Sequence, residues 1–147
     1  MFQLQIKIQK LYDDVKTPTK AHNTDACFDI YAYISEPIYI AAGTTRSIRT
    51  GFKTEIPQGY YAAVYARSGL GIKHGIRLAN DVGIIDSDYR GEWIVALHND
   101  GDLFYSINPG DRIAQFAIHE VIPCELNEVV DLGDTERGIG GFGSSGK

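Results

Sequence analysis

The amino-acid sequence predicts an all-β fold, a sandwich or a barrel, with one short helix. Apolar residues occur in runs of strand length, and glycine or proline interrupts these runs at short intervals. No long segment has the i, i+3, i+4 spacing of apolar residues that marks an amphipathic helix. A chain of 147 residues is the size of one ordinary domain, so we expect a single core.

Alternation at the N-terminus predicts the first strand. Phe2, Leu4, Ile6 and Ile8 alternate with polar residues, and a period of two suits a half-buried strand. A polar loop follows at residues 16–23. Further strands are predicted at residues 25–33, 38–40, around 48 and at 60–65, with the short helix at 70–74.

The strand at 25–33 carries a carboxylate on its polar face. Phe28, Ile30 and Ala32 share one face, and Asp29 lies on the other. We therefore expect Asp29 to point away from the apolar side.

The segment from Asn80 to Glu92 predicts a hairpin with two carboxylates in its turn. An apolar strand ending at Ile85 leads into a polar turn with Asp86 and Asp88, and a second apolar strand follows at residues 93–97. Two aspartates in a turn are most often turn formers that bond their own backbone, so a catalytic role needs further support. Later strands are predicted at residues 103–107, 113–118 and 121–130, the last interrupted by a proline.

The chain changes character after Leu132. Residues 133–147 contain six glycines and only two large apolar residues, Ile139 and Phe142, so this segment cannot form a core of its own. We predict a β domain at residues 1–132 and a flexible glycine-rich arm at residues 133–147. The sequence shows no internal repeat and no second domain.

Composition limits the possible partners and the compartment. The net charge of −5 disfavours non-specific electrostatic binding to nucleic acid. The longest uncharged run, residues 56–66, is too short to span a membrane as a helix, and the N-terminus does not resemble a signal peptide. Cys27 and Cys124 form neither a disulfide framework nor a Cys-x-x-Cys pair. We expect an intracellular, cytoplasmic protein, or a nuclear or host-cytoplasmic one if the source is eukaryotic or viral.

Several common motifs are matched only superficially. The glycines of the arm fit a dinucleotide fingerprint and the start of a P-loop, but both motifs need a helix to follow, and the sequence stops at Lys147. The four histidines are scattered and have no metal-ligand spacing. A zinc deaminase would need the sequence Pro-Cys-x-x-Cys, and Pro123-Cys124-Glu125-Leu126 lacks the second cysteine. Protein-bound zinc is therefore not expected.

Five short segments carry the strongest functional signal because they occur together in one order. They are Asp25–Ile30, Ala66–Gly71, Asn80–Glu92, Pro109–Gln115 and Arg137–Gly146. In order and spacing they resemble the five motifs of the trimeric deoxyuridine triphosphatases (dUTPases), over about residues 21 to 146. This family consists of jelly-roll homotrimers whose sites lie between subunits and are closed by the arm. The resemblance therefore implies a jelly-roll-like fold and a homotrimer.

The resemblance also implies a reaction, the Mg²⁺-assisted hydrolysis of dUTP to dUMP and pyrophosphate, which limits uracil in DNA and supplies dUMP for dTTP synthesis. Asp86 would activate the water that attacks the α-phosphorus, a role worth about 10² to 10⁴ in rate. Asp29 would reach the Mg²⁺ through water.

The remaining motif residues would bind the substrate. By resemblance, Asn80 and the main chain near Gly83 would read the uracil edge, Tyr89 would exclude a 2'-hydroxyl, and Phe142 would stack on the base. We expect the motif arginines to lack neutralising neighbours and so to be available to a polyphosphate. The phosphate and arm contacts would come from Arg67, Ser68, Gly69, Arg112, Gln115, Arg137, Gly143, Ser144 and Ser145.

Departures from the family pattern are mild. Cys27 and Phe28 stand where glycine and tyrosine are more usual, and Ser145 where threonine is common. The alternatives are a dCTP deaminase of the same fold, for which no additional ring-directed carboxylate is found, and a dUTP-sensing regulator that binds a protein partner. Intact Asp86 and a complete arm favour the enzyme.

Overall fold

A computed structural model describes residues 3–144, and within this range the chain forms eleven strands and one short helix. The predicted all-β class is confirmed, and the helix begins two residues before the predicted start. The strands are β1 (Lys7–Lys10), β2 (Phe28–Tyr31), β3 (Ile38–Ile40), β4 (Thr45–Arg49), β5 (Phe52–Glu55), β6 (Tyr60–Tyr65), β7 (Ile76–Leu78), β8 (Gly83–Ile85), β9 (Ile94–Asn99), β10 (Tyr105–Ile107) and β11 (Arg112–Glu120), and the helix is α1 (Ser68–His74). Phe2, which opens the predicted first strand, lies outside the described residues.

All the strand pairings are antiparallel among the described residues. The largest sheet has the order β2-β11-β6-β8, and a second sheet has the order β4-β9-β7. Two strand pairs, β1 with β5 and β3 with β10, complete the β structure. No helix within residues 3–144 is long and apolar enough to cross a membrane.

The core is centred on Trp93. Its ring lies 5.2 Å from the Phe52 ring and 5.0 Å from the Phe116 ring, and only 2% of the residue is exposed. The indole Nε1 donates a hydrogen bond of 3.1 Å to Thr54 Oγ1, so burial leaves no unpaired donor on this ring. Because Trp93 directly follows the carboxylate turn, the core fixes one end of that turn.

Asn99, at the end of β9, is fully buried and forms hydrogen bonds to β3 and to the loop that follows β9. Its Nδ2 donates to the carbonyls of Ile40 and Leu103 at 2.8 Å each, and its Oδ1 accepts from the Gly101 N–H at 2.8 Å. A buried amide is stable only when its donors and acceptors are satisfied, as they are here.

Two predicted strand arrangements are wrong. The strands that flank the carboxylate turn do not form a hairpin with each other, because β8 pairs with β6 whereas β9 pairs with β4 and β7. The turn instead connects two sheets. The predicted strand at residues 121–130 is also absent from the described chain, since β11 ends at Glu120 and an irregular, exposed segment follows.

Candidate active site

Two arginines from separate parts of the chain meet at one carboxylate. Arg67 Nε donates to Asp29 Oδ1 at 3.0 Å, and Arg112 Nη1 donates to Asp29 Oδ2 at 3.2 Å. Strand pairing explains the arrangement, because β2 and β11 lie side by side with Asp29 opposite Gln115. Asp29 is mostly buried, with 16% of its side chain exposed. The expectation that the arginines lack neutralising neighbours is therefore wrong for Arg67 and Arg112.

Gln115 supports this cluster from the adjacent strand. Its Nε2 donates a 2.9 Å hydrogen bond to the carbonyl of Ala66, at the point where β6 ends and the chain turns toward Arg67. Arg67 is the N-terminal capping residue of α1, which begins at Ser68. Ser68 and Gly69 consequently lie at the start of the helix, next to the arginine pair. We call Asp29, Arg67, Arg112 and Gln115 the arginine cluster.

Asn80 and Gly83 line a small cavity of about 90 Å³. A Cβ atom at Gly83 would lie 3.2 Å from Val64 Cβ and 3.5 Å from Asn80 Nδ2, so glycine keeps its backbone close to both side chains. The rest of the lining is mostly apolar. A mostly apolar lining with a few polar groups is common in small-molecule sites, and at about 90 Å³ this cavity is smaller than most of them, which hold about 300 to 1,000 Å³.

Asp86 lies at the other end of β8 and is exposed. Its carbonyl accepts a hydrogen bond from the Tyr89 N–H at 3.2 Å, and Arg90 Nη1 donates to the Ser87 carbonyl at 2.7 Å. The turn thus stabilises itself through local bonds. Asp86 and Asp88 face an open cleft of about 770 Å³, which is also lined by residues 55–61, Val121 and Pro123.

Tyr89 is held by the two residues that end the turn. Its hydroxyl donates to the Glu92 carbonyl at 3.1 Å, and its ring lies against Gly91, where a Cβ atom would come within 2.5 Å of Tyr89 Cζ. Sequence reasoning missed Glu92, although it ends the Asn80–Glu92 motif. Its carboxylate accepts hydrogen bonds from Arg49 and from the Gly51 N–H. These partners are more than 40 residues away in the sequence, so no local sequence pattern predicts the contacts.

The candidate residues form two separate groups within one chain. In the β6–β8 pairing, Ile85 is opposite Ala62, so Asp86 follows beside Tyr61. Arg67 lies six residues farther along the chain, which at about 3.3 Å per residue corresponds to roughly 20 Å. Two side chains cannot bridge that length, so a single chain does not bring Asp86 to the arginine cluster.

The described part of the arm is exposed except at Gly140, which is half-buried. Phe142 has a positive φ of 47° and its side chain is fully exposed, while Arg137 Nε donates to the Gly140 carbonyl at 2.8 Å. Ser144 N donates to the Gly141 carbonyl at 3.1 Å, next to Gly143. Ser145 lies outside the described residues.

The residues that could serve a metal ion are few. Within residues 3–144 there is no group of three or more His, Cys, Asp or Glu side chains that could hold one. Mg²⁺, however, is commonly held by one or two carboxylates together with substrate phosphates and water. Asp29, a carboxylate beside two arginines, is compatible with that mode through a water molecule.

Comparisons with known proteins agree along the whole chain. A family model described as dUTPase matches residues 13–146. The deoxyuridine 5'-triphosphate nucleotidohydrolase of Ralstonia pickettii is 42% identical over 146 residues, and the match covers 99% of each chain. The protein of the same name from Pasteurella multocida is 44% identical over 150 residues, covering 100% of this chain and 99% of that one.

Solved structures show the same fold. A mutant dUTPase of Staphylococcus bacteriophage 80alpha with dUpNHpp has a TM-score of 0.86 and 27% identity, covering 97% of this chain and 99% of that chain. A mutant dUTPase from phage phi11 of S. aureus, described as revealing the coordination of a structural Mg(II) ion, has a TM-score of 0.77 and 25% identity, covering 86% and 97%. The expected jelly-roll-like fold is confirmed, and the chain belongs to the dUTPase family of enzymes.

Proposed function

We propose that this chain hydrolyses dUTP to dUMP and pyrophosphate. The observation that carries the proposal is the layout of β8, which has Asn80 and Gly83 at one end and Asp86 at the other. Asp86 lies three positions after Gly83, about 10 Å along an extended strand, a length similar to that of a nucleotide. One short strand thus links a cavity suited to a base with an exposed carboxylate suited to the α-phosphate.

Asp86 acts as the general base in this proposal. Its carboxylate accepts a proton from a water molecule as the water oxygen bonds to the α-phosphorus. The bond between the α-phosphorus and the bridging oxygen breaks, and pyrophosphate leaves. Because a carboxylate is a weak base, positioning and charge stabilisation have to supply the remainder of the rate enhancement.

The arginine cluster supplies donors for the phosphates. A guanidinium has five N–H donors, and Arg67 and Arg112 each use one of them on Asp29. Asp29 therefore aligns both groups while leaving donors for phosphate oxygens. Ser68 and Gly69 at the start of α1 add a hydroxyl and a backbone N–H. When bound, Mg²⁺ would neutralise phosphate charge, held by the substrate and, through water, by Asp29.

Base and sugar are recognised by the other group of residues. Asn80 and the backbone of Gly83 bind the uracil edge in the small cavity, and the ring of Tyr89 occupies the space that a 2'-hydroxyl would need. The glycine-rich arm at residues 133–147 then closes over the nucleotide. Phe142 stacks on the base, and the phosphate contacts come from Arg137, Gly143, Ser144 and Ser145.

A homotrimer completes the site. The separation between Asp86 and Arg67 supports this assembly, because a second chain is needed to supply the missing group. Exposed apolar side chains after β11 provide independent support, since Leu126 and Val130 are 97% and 99% exposed. They belong to a concentration of exposed apolar side chains within residues 121–132, which favours a protein contact surface. A closed symmetric assembly would cover one such surface on every chain.

Pyrophosphate release tests this proposal. The protein is incubated with Mg²⁺ and with dUTP, UTP, dCTP or dTTP at equal concentration. We expect fast release from dUTP alone. Release of ammonia from dCTP would support a deaminase instead, and binding of dUTP without release from any nucleotide would support a regulator.

A further inference from the structure

We propose that Glu92 is a positioning residue that fixes the ring of Tyr89 and thereby sets the discrimination between deoxyribose and ribose. The inference rests on the proposed function, in which Tyr89 excludes the 2'-hydroxyl. In this inference Glu92 acts through Tyr89, whose hydroxyl donates to the Glu92 carbonyl. It also explains how an exposed turn can hold a tyrosine ring in one place.

The side chain of Glu92 is anchored to the turn between β4 and β5. Oε2 accepts from Arg49 Nε and Nη2 at 3.1 Å each, and Oε1 accepts from the Gly51 N–H at 2.8 Å. Only 17% of the Glu92 side chain is exposed. A two-pronged contact with a guanidinium restrains direction as well as distance. We call Arg49, Gly51 and Glu92 the glutamate clamp.

The main chain next to the clamp is fixed to the same turn. Thr50 Oγ1 donates to the Trp93 carbonyl at 2.7 Å, and the Trp93 N–H donates to the Phe52 carbonyl at 3.0 Å. Thr50 is buried, with 1% exposed. The backbone from Glu92 to Trp93 is therefore attached to the core through bonds of both side chain and main chain.

Tyr89 takes its position from this anchored backbone. Its hydroxyl donates to the Glu92 carbonyl at 3.1 Å, and its ring fills the space beside Gly91 where any other residue would place a Cβ. The residue is 43% exposed, so the protein encloses the ring only in part. The opposite end of the turn, near Asp86, is held mainly by bonds within the turn itself.

Steric exclusion of one hydroxyl requires tight placement. Binding groups have to be held within about 0.5 Å of their working position, and a ring that can move by more than this admits the larger sugar. Loosening the clamp should therefore raise the use of UTP more than it lowers the use of dUTP. A merely structural role would change both substrates equally.

The test compares kcat/KM for dUTP and UTP in full-length variants. Glu92→Gln keeps the size and the carbonyl but weakens the ion pair, and Arg49→Lys removes the two-pronged contact from the other side. Gly91→Ala displaces the ring directly, since a Cβ would lie 2.5 Å from Tyr89 Cζ. We expect each variant to lower the dUTP-to-UTP ratio by about tenfold, roughly the loss of one well-placed contact. Tyr89→Ala gives the full loss of discrimination.

Matched controls separate this effect from general damage. Asp100→Asn weakens the exposed ion pair between Arg77 on β7 and Asp100, which directly follows β9, and Asp102→Asn changes an exposed loop carboxylate outside the five segments. Both should leave the ratio unchanged. In the double variant Glu92→Gln with Tyr89→Ala, the ratio should equal that of Tyr89→Ala alone, because Glu92 acts through Tyr89.

The outcomes distinguish this inference from the proposed function. If the native protein hydrolyses dUTP and rejects UTP while Glu92→Gln and Gly91→Ala retain the full ratio, the clamp does not position the ring and the inference is overturned. If the native protein releases no pyrophosphate from dUTP, the proposed function itself has failed.

Discussion

Asp86 and Arg67 lie beside opposite ends of β6. The pairing of Ile85 with Ala62 sets Asp86 near the start of the strand, and Arg67 follows its end. At about 3.3 Å per residue the two positions are roughly 20 Å apart. The proposed function therefore takes the base and the phosphate ligands of one site from different chains.

Mixed assemblies test this relationship. Asp86→Asn and Arg67→Ala chains are each expected to be inactive alone. When they are co-expressed in equal amounts and mix at random, a site that takes Asp86 from one chain and Arg67 from another is intact in about one case in four. We therefore expect about a quarter of the native pyrophosphate release. Activity no greater than that of the two parents, in assemblies shown by tagged purification to contain both chains, would mean that each chain builds its own site.

Replacement of Asp29 tests its two proposed roles. In Asp29→Asn, the arginines lose the charge that aligns them and the Mg²⁺ loses its protein carboxylate. We expect kcat/KM for dUTP to fall about 100-fold, about the effect of removing one aligned charge group from an active site. The Mg²⁺ concentration needed for half-maximal rate should also rise. An unchanged Mg²⁺ dependence would leave arginine alignment as the only role. Asp102→Asn, on an exposed loop, is the control.

Removal of the arm should separate activity from folding. A chain that ends at Glu136 loses Phe142 and Ile139, both fully exposed, so the thermal unfolding midpoint should change little. Hydrolysis of dUTP should fall by at least about 100-fold, because the closed site loses donors and a stacking face. Thermal unfolding and pyrophosphate release are measured on the same preparation. A truncated protein that no longer folds would show that the arm is structural.

The two cysteines should differ in reactivity. Burial raises the pKa of the Cys27 thiol, whereas Cys124 is exposed. A raised pKa leaves less thiolate at a given pH, and the thiolate is the reactive form. At pH 8 a thiol reagent should therefore modify Cys124 first, as identified by mass spectrometry of digested protein. The Cys124→Ser variant should retain one slow site, and equal rates at both positions would contradict the assignment.

Local sequence patterns predict the class of fold and most strands because alternation and turn residues are local properties. They do not show which strands pair. The segment around Asp86 has the pattern of a hairpin, yet β8 and β9 lie in different sheets. Apolar residues at 121–130 suggest a strand, but only Val121 continues the pairing, through an N–H that donates to the Gly59 carbonyl, and the whole segment is exposed.

The candidate site also combines features that the sequence predicts with contacts that it does not. The motif residues are visible in the sequence by resemblance to a family. The contact of Asp29 with Arg67 and Arg112 joins positions 38 and 83 residues apart. The anchoring of Glu92 by Arg49 spans 43 residues. Such distant pairs follow from strand order, which the periodicity of a single sequence does not contain.

The most direct measurement is the turnover and dUTP affinity of Asp86→Asn beside Asp88→Asn. Both carboxylates lie on the same exposed turn, and only Asp86 is proposed to be the base. Asp86→Asn should bind dUTP nearly as tightly as the native protein and release pyrophosphate about 10² to 10⁴ times more slowly. Asp88→Asn should keep a turnover and a dUTP affinity close to those of the native protein. Near-native turnover in Asp86→Asn, or an equal loss in both variants, would contradict Asp86 as the base.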